Sequence, residues 1–143
     1  AMLGGKRSRG ASWLSRLAGL RQSSAAPREF AEHADVNVQF YCNSLRAEPD
    51  GKLHAEIVAT YDHDTLERSH GFIQWLFPVY ENQGINFASK ALTKEGAAAI
   101  RGDLDMSRRV VESYRLMLAF YGLELADPLT GELTRAAEFE ERF

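Results

Sequence analysis

The stretch HGFIQWLFP (70–78) decides the fold. It places Phe72, Trp75, Leu76 and Phe77 within six consecutive positions and closes on Pro78. That is too many large apolar side chains for one narrow amphipathic stripe, so the spacing predicts a helix over 71–77 that is buried on most of its sides. Pro78 cannot continue such a helix. The stretch is therefore expected to be a central core element. Outward from it, YRLMLAFYGLEL (114–125) completes the strongest helical pattern in the chain. This helix restarts at Asp103 or Asp105, runs to Tyr121 with Val110, Tyr114, Met117, Leu118 and Tyr121 along one stripe, and stops at Gly122. The 71–77 helix is expected to pack against the 110–121 segment.

The remaining segments repeat the helical period. Val36, Phe40 and Tyr41 predict a helix over 36–45, halted by the turn Glu48-Pro49-Asp50-Gly51. Leu53, Ile57 and Tyr61 mark a second helix from Lys52. Asp62 or Asp64 caps a short third over 66–69, and Thr93 caps a helix over 94–101. Leu125 to Leu133 reads as a hairpin-like turn with Pro128 and Gly131, after which Thr134 is expected to cap a last helix to Phe143. No segment shows sustained strand alternation and none repeats at the period of a solenoid. The expected fold is all-α, a single compact domain of about six or seven short helices.

Composition agrees with one soluble domain: 143 residues, 45% hydrophobic and 26% charged. The single cysteine, Cys42, cannot form an internal bridge and sits beside Phe40 and Tyr41, where a thiol serves as a small hydrophobe. The longest nearly apolar run, FIQWLFPVY (72–80), is far short of the roughly 20 residues a membrane span needs. The net charge of −3 conceals an asymmetry. Residues 1–28 carry Lys6, Arg7, Arg9, Arg16, Arg21 and Arg28 with no acid, leaving 11 basic against 20 acidic groups, or −9, for 29–143. An acidic body is unsuited to nucleic acid, whose recognition relies on clustered Lys and Arg.

The basic arm 1–28 is Ser-, Gly- and Ala-rich and sets Trp13, Leu14, Leu17 and Leu20 at helical spacing. Two expectations follow: an ordinary first helix with a basic tail, or a mitochondrial transit peptide with Met2 as the native start. Peripheral membrane contact through 11–21 belongs with the second. The linker Ser23-Ser24-Ala25-Ala26-Pro27 separates this arm from the helical domain 29–143.

Three strings occur in order: HGFIQWLFP (70–78), YRLMLAFYGLEL (114–125) and TGELTRAAEFEERF (130–143). Together they resemble the conserved N-terminal domain of the opioid growth factor receptor family. NVQFYCNSLRAEPDG (37–51) is similar to its opening helix and turn, and Asn86, Ala88 and Ala91-Leu92-Thr93 to the segment after the WLFP string. The chain departs from the family pattern at Val38 and Phe139, where tryptophan is favoured, at Glu138 in place of asparagine, and at Lys90 in place of proline. The resemblance implies a receptor for the pentapeptide Met-enkephalin, associated with the nuclear envelope and restraining proliferation. It thus implies a non-catalytic domain with a peptide or protein partner and no cofactor.

The residues themselves set out candidates. Trp75 and Phe77 read as core before groove, because an aromatic stripe at helical spacing is a packing signal first. Tyr114 and Tyr121 read the same way, with hydroxyls available to a polar rim. His70, Gln74 and Asn86 are polar beside a dense apolar run and must be hydrogen-bonded, either tying loops to helices or touching a ligand. Arg135 joins them as a signature position in the 130–143 string.

Enzyme chemistry finds little support. His33, His63-Asp64 and Asp105 mimic the H…HD…D order of HD-type metal-dependent phosphohydrolases, but His63-Asp64 falls at an expected turn. Glu67 and His70 form a single Glu-x-x-His step where a di-iron bundle needs two. Gly4-Gly5-Lys6 lacks the strand and helix of a P-loop, and neither G-x-S-x-G nor H-E-x-x-H occurs. The sequence therefore points to a binding domain. A structural subunit of a larger, mitochondrially addressed assembly and a metal phosphohydrolase are the alternatives.

Overall fold

The computed structural model describes residues 28–81 and 88–142. The arm expected over 1–28 thus lies outside the described residues except for Arg28, as does Asn86. Among the described residues seven helices precede a β-hairpin and one follows it: α1 (Arg28–Ala31), α2 (Val36–Tyr41), α3 (His54–Thr60), α4 (His63–Arg68), α5 (Ile73–Leu76), α6 (Lys94–Gly102), α7 (Leu104–Phe120), β1 (Leu123–Asp127), β2 (Glu132–Arg135) and α8 (Phe139–Arg142).

Short polar side chains start four of these helices by accepting otherwise unpaired amide protons. Asp35 accepts from Asn37 N at 2.9 Å, Asp62 from Thr65 N at 2.8 Å, Thr93 from Gly96 N at 2.9 Å and Asp103 from Met106 N at 2.8 Å. Of the alternative caps read from the sequence, Asp62 and Asp103 are the ones used. The helix expected over 36–45 ends at Tyr41, where Asn43 turns to a φ of 65°. The helix expected over 71–77 is a single turn, Ile73–Leu76.

The all-α expectation is corrected by the hairpin. β1 and β2 pair antiparallel, with Leu123 opposite Arg135, Glu124 opposite Thr134 and Leu125 opposite Leu133. The turn between them uses the anticipated residues: Asp127 accepts from Leu129 N at 2.8 Å, and Gly131 takes a φ of 80°, a conformation that favours glycine. Thr134, expected as a helix cap, instead lies in β2, and the last helix begins at Phe139. The strands escape the periodicity reading because they span only 5 and 4 residues and β2 is exposed throughout. With no buried face, β2 has no reason to alternate.

The core is centred on α2. Phe40 meets the rings of Tyr41, His54 and Trp75 at centroid distances of 5.4, 5.7 and 5.4 Å. Val38, Ile57, Phe72, Leu76 and Met106 are fully buried around it. The link between α5 and α7 runs through α2, because the Tyr41 hydroxyl donates to Leu76 O of α5 and lies 3.0 Å from Ser113 Oγ of α7.

Candidate functional site

A groove of about 350 Å³ opens between α6, α7 and the chain leaving α5. Ala97 and Ile100 of α6 form one wall, Ser107 and Val110 of α7 another, and Leu76, Pro78 and Tyr80 a third. Leu92 and Tyr41 complete the floor, and Arg101 stands on the α6 side. The volume is at the small end of ligand sites, and such sites are mainly apolar with a few polar groups, as here.

Two polar clusters hold the walls in place. In the first, Asp35 of the α2 cap receives Thr93 N and Thr93 Oγ1, both at 2.8 Å, and Asn37 N and Nδ2 at 2.9 and 3.0 Å. Asn37 Nδ2 also donates to Lys90 O at 3.1 Å. Burial pushes the Asp35 carboxyl up, but the hydrogen bonds from Thr93 and Asn37 outweigh it and hold the group below its ordinary value. The start of α2 is thereby tied to the start of α6 across more than fifty residues of chain. Leu92 N donates to Val79 O at 2.7 Å, joining the ends of the loop that connects α5 to α6.

The second cluster lies behind the groove. Ser113 Oγ lies 2.8 Å from His54 Nε2 and 3.0 Å from the Tyr41 hydroxyl, and donates within reach of Arg109 O at 3.1 Å. Arg109 Nη1 in turn donates to Tyr41 O at 2.9 Å. Burial, and then the Arg109 charge, pull His54 down to about 4, so its ring is neutral at neutral pH. A serine beside a neutral histidine has the pairing of a nucleophile and base. Here both side chains are 0% exposed, so a substrate cannot reach the serine oxygen. The cluster pairs Ser113, the Tyr41 hydroxyl and His54 Nε2 inside the core, while His54 Nδ1 has no hydrogen-bond partner among the described residues.

The sequence candidates fall elsewhere. Trp75 is 3% exposed and donates Nε1 to Glu48 O at 2.9 Å, which places it in the core. Phe77, Tyr114 and Tyr121 are 37%, 40% and 49% exposed. Gln74 Oε1 accepts from Ser89 Oγ at 2.8 Å, tying α5 to the segment before α6. His70 is exposed. Arg135 lies over the Phe139 ring at 4.4 Å and 3.5 Å from Glu140. These described candidates do not converge on the groove, whose lining includes none of them. Sequence reasoning missed Asp35, Asn37, His54 and Ser113, for which an isolated polar residue amid apolar helix positions is the only signal.

The metal constellation is not assembled either. His63-Asp64 opens α4 behind the Asp62 cap, with the His63 ring edge-on to Phe120 at 6.1 Å. Among the described residues no three His, Cys, Asp or Glu side chains gather in a position to hold a metal ion.

Residues 30–143 match the family described as the opioid growth factor receptor conserved region. The chain belongs to the opioid growth factor receptor family. It is 39% identical over 109 residues to the opioid growth factor receptor of Mus musculus, covering 75% of this chain and 17% of that protein. The receptor of Homo sapiens is 38% identical over 109 residues, with 75% and 16% covered. Opioid growth factor receptor-like protein 1 of Mus musculus is 38% identical over 109 residues, with 75% and 23% covered. The chain thus spans less than a quarter of the length of these curated relatives. No solved structure matches it. The family match takes in the hairpin and every helix from α2 to α8, so the groove lies wholly inside the region shared with the family. Among the described residues no helix is long and apolar enough to cross a membrane.

Proposed function

We propose that this domain is a non-catalytic module that binds a peptide segment in the groove between α6 and α7. The observation that carries the reading is the groove itself: an apolar concavity of about 350 Å³ with Tyr80 exposed on one wall and Arg101 on another. Apolar concavities with an aromatic and an arginine at their margin suit peptide anchors, since these residue types dominate binding hot spots. The burial of the Ser113 and His54 pair supports the non-catalytic part.

The family relatives are named receptors for an opioid growth factor, which makes Met-enkephalin the first probe. Isothermal titration of this chain with Met-enkephalin is expected to give saturable binding at one site. Tyr80→Ala, at an exposed position, is expected to weaken it while leaving the thermal melt unchanged. Absence of binding, or binding indifferent to Tyr80, would overturn the assignment of this groove.

A further inference from the structure

Resting on that peptide-binding reading, we propose that the groove receives the C-terminal end of a peptide, with the last side chain between α6 and α7 and the α-carboxylate on Arg101. The argument is one of charge. Residues 29–143 carry 11 basic and 20 acidic groups, a net of −9. Against this acidic background the α6 edge of the groove is basic. Ala97 lines the groove, and Lys94 and Arg101 stand three positions before and four after it, on the same helical face. Among the described residues the arginines in ion pairs are Arg28, Arg46, Arg108 and Arg135, so Arg101 meets a ligand with its charge uncommitted.

The helix end beside Arg101 would ordinarily present carbonyl oxygens and repel an anion. Ser107, which also lines the groove, shares its single hydroxyl proton between Ile100 O at 3.0 Å and Arg101 O at 3.3 Å. That proton offsets part of the carbonyl dipole, and Arg101 is the basic residue that lines the groove. A small apolar groove with a cation at its margin needs an apolar group and an anion a few ångströms apart. The last residue of a peptide supplies both from one residue, and a guanidinium pairs a carboxylate with two parallel hydrogen bonds. The chain's own arm is a poor occupant, since 1–28 carry six basic groups and no acid, and would be repelled by Lys94 and Arg101.

The test compares Met-enkephalin with its C-terminal amide on the wild-type chain and on Arg101→Gln, by isothermal titration at low salt. The amide is expected to bind the wild type about tenfold more weakly than the free acid, the effect of one charge-assisted contact. Arg101→Gln is expected to weaken the acid by a similar factor and leave the amide unchanged. Equal affinities for acid and amide, or an equal loss of both on Arg101→Gln, would overturn the carboxylate anchor while leaving peptide binding in the groove intact. Binding of neither form would overturn both.

Discussion

The carboxylate of Asp35 occupies the space that a side chain on residue 96 would need: a Cβ built on Gly96 would lie 2.1 Å from Asp35 Oδ2. The same oxygen accepts from Thr93 N and Oγ1, so the first turn of α6 is closed around it. Only glycine lets the helix approach the buried carboxylate this closely.

Gly96→Ala is therefore expected to destabilise the domain by about 1 to 3 kcal/mol, the usual cost of overpacking a tight contact, even though alanine is the better helix former. A denaturant titration checks it. A variant as stable as the wild type would mean that α6 moves away from Asp35 at little cost.

Asp35 also sets an acid limit. Its folded-state carboxyl lies below the ordinary value of 3.8, so the folded chain holds fewer protons than the unfolded chain in that range. Its contribution is fully present above 3.8 and is lost as pH falls through the depressed folded value. Asp35→Asn is expected to lower stability at neutral pH and to flatten the loss below pH 3.8, measured as urea midpoints against pH.

His54 acts over a higher window. Its folded-state value of about 4 lies below the ordinary 6.5, so the unfolded chain takes up a proton first on acidification. Stability is expected to fall by roughly 3 kcal/mol as pH drops from 6.5 towards 4 and then to level off with respect to this group. His54→Gln is expected to be less stable at pH 7 and to lack this slope. A wild-type curve flat between pH 6.5 and 5 would show that His54 titrates normally.

Trp75→Ala is expected to cost about 3 to 5 kcal/mol, as large aromatic truncations in cores do. Trp75→Phe keeps the ring contact with Phe40 but leaves Glu48 O without its indole donor, with an expected cost of about 1 to 3 kcal/mol. A thermal melt of Trp75→Ala within a few degrees of wild type would place this side chain outside the core.

Much of the helical frame was legible because it follows from local chemistry. Thr93, Asp62 and Asp103 start helices by accepting the amide protons of their own first turns, an interaction confined to three or four residues. Trp75 was readable as core from its crowded neighbours Phe72 and Leu76. The family was legible too, since strings such as HGFIQWLFP survive as linear sequence.

Tertiary structure alone decided the rest. β2 is exposed along its length and is a strand only because β1 lies beside it, so its sequence carries no alternation to read. Asp35 went unread in the sequence, and beyond the first turn of α2 its partners come from Thr93, 58 residues away. His54 and Ser113 are 59 residues apart in sequence and 2.8 Å apart in space. The groove draws one wall from each of three segments, and an enclosure of that kind has no local signature. The sequence by itself determined where α4, α6 and α7 start and that Trp75 is buried, because those depend on near neighbours. Where Asp35, His54 and Arg101 stand, and what they face, was decided by packing between distant segments.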